Sequence, residues 1–338
     1  MSDSPDIAAA NAAASAPAGA GTGAGRTVAV TGGSGFVGSH VVDALLAAGC
    51  TVKVLDRRAP HRPDAQWVPC DVLDLDGLTH AVAGADLVYH LAAVADVNDV
   101  VDDPSLAVEV NTLGTARVLE AARRAEAGRV VLASTVWVYA ATSAVDAAGQ
   151  VGEDTPFDPG TDRHLYVTSK VAAEMACRDY RTLYDRPYTV LRYGIPYGPR
   201  MRDRCVVAAF LQRAMRGDTL RIDGDGSQHR WFVYVEDLAQ AHVKVLDDVA
   251  VDRTYNLEGA APVSIREIAE SVITLTGRGA VQLGPARPGD LAARTVSTAR
   301  ARDELGWVPT TSFADGLART HAWYVDQAAA LAATTPDD

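Results

Sequence analysis

Three features of the sequence predict an α/β protein with a doubly wound parallel sheet and a smaller, irregular C-terminal region. From Arg26 onward, short apolar runs rich in Val, Leu and Thr alternate with longer stretches of helical periodicity, the pattern of a parallel sheet covered on both faces. A glycine-rich turn follows the first run directly. After about Arg192 the rhythm breaks, and Gly, Pro and Arg gather around 196–204 and 224–229.

The runs at 27–31, 51–56, 66–70, 87–91, 130–134 and 188–191 read as strands, each short and bounded by turn residues. Between them, 37–48, 78–83, 106–125 and 167–183 carry helical spacing of apolar residues. That alternation is the Rossmann arrangement, in which ligands bind beyond the carboxyl ends of the strands. The expected organisation is a Rossmann domain over 26–192, rejoined by about 230–258, with 193–326 forming mainly a second domain. Residues 1–25, rich in Ala, Gly, Ser and Pro, read as a disordered tail, and 327–338 as a frayed one.

The turn is T-G-G-S-G-F-V-G, 31–38. Gly32, Gly35 and Gly38 let the backbone turn tightly, admit a pyrophosphate at the helix N-terminus and let that helix pack closely on the sheet. Phe36 and Val37 open the helix beside them. Asp56 ends the second strand 24 positions past Gly32, the spacing at which a carboxylate meets the adenosine ribose hydroxyls. Such a carboxylate repels a 2′-phosphate, so NAD is expected rather than NADP, although Arg57 and Arg58 follow it. Asp71, with Val72 in C-D-V-L-D, is placed either to face the adenine ring or to stand as a solvated strand-end acid.

Tyr166 and Lys170 form Y-V-T-S-K at the start of a helix, four residues apart and therefore on one face. An ammonium near the phenol favours phenolate, making Tyr166 a usable general base. With 11 tyrosines and three lysines in 338 residues, only about 0.1 such pairs arise by chance. Thr135, at the end of the fifth strand, is the expected hydroxyl partner for a substrate oxygen that becomes a carbonyl, with Ser134 its competitor.

A formal charge of −12 argues against nucleic-acid or anionic-membrane partners. The four cysteines, Cys50, Cys70, Cys177 and Cys205, are scattered without metal-ligand spacing, so reduced thiols and no metal are expected. No apolar run approaches the roughly 18 residues of a membrane span. Asp3 and Asp6 stand where a signal peptide carries positive charge, so the expected location is cytoplasmic.

These motifs together resemble the extended short-chain dehydrogenase/reductases, specifically the NAD-dependent epimerase/dehydratase family, over about 26–317. The likeness includes H-L-A-A at 90–93, V-N-T-L-G-T around Asn111, Y-G-P-R at 197–200, G-D-G-S-Q-H-R-W-F-V-Y-V-E-D-L at 224–238, Y-N-L at 255–257, R-P-G-D at 287–290 and L-G-W-V-P at 305–309. By that resemblance Leu91, Ala92, Ala93, Asn111, Tyr193 and Ile195 join Tyr166 and Lys170 around NAD. Arg200, Arg230 and Arg287 take a nucleotide-sugar substrate, UDP- or dTDP-linked, in a substrate-binding C-terminal region. The resemblance also implies a homodimer through the helices at 106–125 and 167–183.

Two departures narrow the reaction. Dehydratases of this kind place Asp-Glu directly after the catalytic Ser/Thr, and decarboxylases place Glu where Trp137 stands; here Val136 and Trp137 follow Thr135. The expectation is C4 epimerisation through a transient keto sugar. The alternatives are a 4-ketoreductase, dehydrogenase or decarboxylase of the same family, or a non-catalytic NAD-sensing regulator, which typically lacks the Tyr or Lys. Ile195 replaces an Asn that usually touches the diphosphate, and Leu165 a Pro, so the sugar pocket is expected to be atypical. Trp137 reads either as a ring that shapes the pocket or as a buried core indole.

Overall fold

The computed structural model describes residues 23–161, 164–285 and 294–334. Seven parallel strands form the main sheet: β1 (Thr27–Thr31), β2 (Thr51–Asp56), β3 (Gln66–Pro69), β4 (Leu87–His90), β5 (Arg129–Thr135), β6 (Tyr188–Tyr193) and, far along the chain, β10 (Arg253–Leu257). Their spatial order is β10-β6-β5-β4-β1-β2-β3. The order reverses between β1 and β4, and a crevice for ligands opens there at the carboxyl ends.

Helices cover both faces. One carries α1 (Phe36–Ala47) and α8 (Val235–Lys244), packed on Val28, Val30, Val131 and Leu191. The other carries α2 (Leu75–Val82), α5 (Gly114–Arg124) and α6 (Leu165–Tyr184), packed on Ala29, Val88, Leu132 and Val190. Odd and even positions of the same strands thus enter different cores, which is why the strands read as continuous apolar runs.

The helix expected at 106–125 is interrupted. Short helices α3 (Val97–Asp102) and α4 (Pro104–Val108) precede a π-helical turn, Glu109–Leu113, before α5 begins. Such turns concentrate at functional sites, and this one holds Asn111.

The irregular region is more ordered than its composition predicts. A three-stranded sheet joins β7 (Ile195–Tyr197), β9 (His229–Tyr234) and β11 (Pro262–Ser264), and a parallel pair joins β8 (Leu220–Asp223) to β12 (Val281–Gly284). Helices α7 (Val206–Met215), α9 (Ile265–Thr276) and α11 (Phe313–Thr334) pack around Phe210, Phe232 and Ile268, while α10 (Ala299–Leu305) lies on β10. These strands have three to six residues, too few for an alternation to declare itself against neighbouring Gly and Arg. The second lobe is tied to α1 by Arg200, whose guanidinium donates to Asp43 Oδ2 at 2.6 Å and approaches His40 Nδ1 at 2.8 Å. Burial first, then the Arg200 charge, pull the His40 imidazole down to about 4.

Candidate active site

The glycine-rich turn leaves space where side chains would stand. Gly32 has φ +70°, and a Cβ there would lie 2.7 Å from Ala92 N; a Cβ on Gly38 would lie 2.1 Å from Gly32 O. The N-cap of α1 is Gly35, whose missing side chain leaves the first amide groups of the helix uncapped. Those N–H groups, with the helix dipole, suit a pyrophosphate. Phe36 packs toward the second lobe and Val37 toward the sheet.

Asp56 closes the far side of this turn: its Oδ2 accepts from Ser34 N at 3.1 Å and its Oδ1 from Arg58 N at 3.0 Å. Arg58 also points back, donating to Ser34 O at 3.4 Å. Asp71 accepts from Leu73 N at 2.9 Å in a turn after β3, and Val72 packs against Gly114 at the start of α5. Leu91, Ala92 and Ala93 leave β4 directly beside Gly32.

Past β4 a hydrogen-bonded chain links this loop to α6. Asn111 accepts from Val94 N at 2.8 Å and donates to Val94 O at 3.0 Å and to Ser169 Oγ at 3.1 Å. Ser169 donates to Tyr166 O at 2.8 Å. Thr115 donates to Asn111 O at 2.6 Å, so His90 Nε2 donates to Thr115 Oγ1 at 3.0 Å and Nδ1 accepts from Thr31 at 2.8 Å. Burial, and then the charge of Lys170, push this imidazole down to about 3, and it is neutral. In the sequence His90 stands out only as part of a motif. Its signal is a histidine ending an otherwise apolar strand.

Strand alternation separates the two hydroxyls that the sequence leaves in competition. Ser134 turns to α6 and donates to Glu174 Oε1 at 2.6 Å, within a buried network in which Arg192 binds Glu174 through Nε at 3.0 Å and Nη2 at 2.7 Å. Thr135, one residue on, accepts from Trp137 N at 3.2 Å and acts on the Tyr166 phenol.

Tyr166 is buried, and burial pushes its phenol up to about 12; the Thr135 hydroxyl and the Arg202 guanidinium oppose that rise. Lys170 is also buried and donates to Ala133 O at 2.9 Å. Desolvation lowers its ammonium to about 8, with Glu174 opposing. The lysine charge is thus felt by His90, while among the described residues Arg202, which the sequence did not single out, is the cation acting on the phenol.

A column of rings extends from Tyr166 toward Arg230. His164 stacks on Tyr166 at 6.1 Å and 28°, Trp137 is tilted 6.5 Å from His164, and Arg230 lies 5.8 Å from the Trp137 centroid. Trp137 is therefore half-buried in the site rather than in the core. Tyr193 sends its hydroxyl away from this column, donating to His242 Nε2 at 2.6 Å. Ile195 pairs with Phe232 in the second sheet. Arg200 is held by α1 as described, and Arg287 lies outside the described residues.

A family model described as the NAD dependent epimerase/dehydratase family matches residues 28–257, more than half of the chain. The chain belongs to this family. Family members are NAD-dependent enzymes, and the cradle of Gly32, Gly35, Gly38 and Asp56 fits that cofactor.

Among its relatives in the epimerase/dehydratase family, a UDP-glucose 4-epimerase of Mycolicibacterium smegmatis is 34% identical over 308 residues, covering 86% of this chain and 96% of that protein. A dTDP-glucose 4,6-dehydratase of Streptomyces niveus is 30% identical over 321 residues, covering 89% and 94%. The solved structure of a Thermus thermophilus UDP-glucose 4-epimerase complexed with NAD matches with a TM-score of 0.78 and 33% identity, covering 88% of this chain and 99% of that one. The relatives thus include an epimerase and a dehydratase of nucleotide-linked glucose.

Proposed function

We propose that the chain is a nucleotide-sugar 4-epimerase that inverts a sugar hydroxyl through a transient keto intermediate. The observation that carries this reading is the segment after Thr135: the 3₁₀ turn Val136–Ala141 is Val-Trp-Val-Tyr-Ala-Ala and brings no acid to the substrate. Elimination or decarboxylation asks for a further acid or base group, whereas epimerisation needs one tuned base and tight positioning.

NAD, when bound, supplies a reversible hydride acceptor. Tyr166 takes the proton of the sugar hydroxyl, and the Arg202 charge offsets part of what burial imposes on the phenolate. Thr135 holds the same sugar oxygen. Lys170, anchored on Ala133 O, positions the nicotinamide ribose, and Asn111 fixes the register between the 91–94 loop and α6. Gly32, Gly35, Phe36, Val37, Gly38, Asp56, Asp71, Val72, Leu91, Ala92, Ala93, Tyr193 and Ile195 make up the rest of the cofactor surface.

The substrate is a UDP- or dTDP-linked sugar, met by Arg200, Arg230 and Arg287, the last two taking its diphosphate. Guanidinium forks suit phosphate oxygens in a chain that is otherwise acidic. Incubating the protein with UDP-, dTDP-, GDP- and CDP-sugars and resolving products by NMR tests this reading. It expects an epimer at C4 with no net NADH; a stoichiometric rise in NADH or a 4-keto-6-deoxy product contradicts it.

The enzyme acts as a homodimer in the cytoplasm. Met175, Leu183 and Tyr184 on α6 and Leu106, Val108 and Leu113 near the π-helical turn expose apolar surface that a second copy would cover. Light scattering that returns a monomer mass at micromolar concentration would contradict the dimer.

A further inference from the structure

Glu258 follows the last residue of β10 and is 5% exposed, yet among the described residues its Oε2, shielded from solvent, has no hydrogen-bond partner. Buried polar atoms in folded proteins nearly always have a partner, so an orphan oxygen asks what supplies one. Burial alone acts on this carboxyl and pushes it up to about 8. At neutral pH it is mostly protonated, and so offers a donor as well as an acceptor.

Its position is fixed by register. Thr135, Tyr193 and Leu257 stand side by side on β5, β6 and β10. Glu258 is therefore one residue beyond the row of the catalytic threonine and two strands across, about 10 Å at ordinary strand spacing. The residue between them is Gly194. A Cβ on Gly194 would lie 3.1 Å from Glu258 Cγ and 3.2 Å from Trp231 O, so the glutamate stem crosses the bare glycine toward β9. β9 also carries Arg230, which caps Trp137. Glu258 thus lies in the seam between the lobes, across the sheet edge from Thr135 and beside the strand that carries Arg230.

We propose that Glu258 is a specificity-determining residue that hydrogen-bonds a hydroxyl of the substrate's sugar. The proposal rests on the nucleotide-sugar reading above and adds to it the group that recognises the sugar. Gly194 serves it by leaving the path open.

Calorimetry on NAD-loaded wild type, Glu258→Gln, Glu258→Met and Glu258→Ala tests this, with UDP-glucose and UDP as titrants and dTDP-glucose and dTDP in parallel. Glutamine keeps a donor and an acceptor, so it binds the sugar nucleotide within about threefold of wild type. Methionine and alanine lose about tenfold, a hydrogen bond's worth. All four proteins bind the bare nucleotide alike. Two apolar replacements are included so that failure of one to fold leaves the other. Equal sugar-nucleotide affinity in wild type and an apolar variant overturns the proposal, as does an equal loss for nucleotide and sugar nucleotide, which marks a structural role. If wild type binds none of the four titrants, the nucleotide-sugar reading itself fails and this inference falls with it.

Discussion

Lys170, itself buried, donates a 2.9 Å hydrogen bond to the carbonyl oxygen of Ala133. The strand, rather than the phenol one helical turn back, anchors the ammonium. Desolvation lowers its pKa from 10.5 to about 8. Between those values the unfolded chain binds a proton that the native protein does not, so this lysine's unfavourable effect on folding is full below pH 8 and fades by pH 10.5. Lys170→Met removes it. Relative to wild type, the variant's stability is therefore highest at pH 7 and declines by up to a few kcal/mol toward pH 10.5. Urea denaturation across that range reads the difference, and a flat one refutes the assignment of charge.

Asp56 holds both the Ser34 and Arg58 amides, and Arg58 turns back onto Ser34. Replacing it with Ala removes the charge that repels a 2′-phosphate and leaves Arg57 and Arg58 beside the ribose. NAD affinity is expected to fall about tenfold and NADP affinity to rise, which calorimetry with each dinucleotide checks. Unchanged preference would place the ribose elsewhere.

Much of this was legible in the sequence because it lies in short-range pattern. The turn from Thr31 to Gly38 announces itself through glycines that only a close backbone approach requires. Tyr166 and Lys170 are joined by helical spacing, and Asp56 by a fixed distance along one βαβ unit. What stayed hidden depends on contacts between distant segments. Thr135 was expected ahead of Ser134, but that Ser134 is taken up by Glu174, 40 residues on, no local pattern shows. The π-helical turn that sets Asn111 looks like uninterrupted helix. The approach of Arg202 to the phenol and the burial of Glu258 arise only in the folded chain, and Arg200, a motif residue, proved to bind Asp43 on α1. The strands of the second lobe were too short to show a period.

Glu174 and Arg192 are both 0% exposed and pair at 2.7 Å beneath the site, with Ser134 and Tyr139 completing the network. Glu174→Ala leaves a buried guanidinium and the Ser134 hydroxyl without their acceptor. A loss of about 3–5 kcal/mol is expected, seen as a shift in the denaturation midpoint. Glu174→Leu together with Arg192→Met should recover most of it, since no charge is then left unpaired. A double variant no more stable than the single one would contradict that account.

The measurement that bears most directly on the whole is a comparison of Tyr166→Phe with wild type for bound NAD and for turnover of a nucleotide sugar. Phenylalanine keeps the ring packed on His164 and removes only the oxygen. The expected result is NAD retained at the wild-type level with kcat reduced at least about 100-fold. Turnover within a few-fold of wild type would show that the proton leaves by another group.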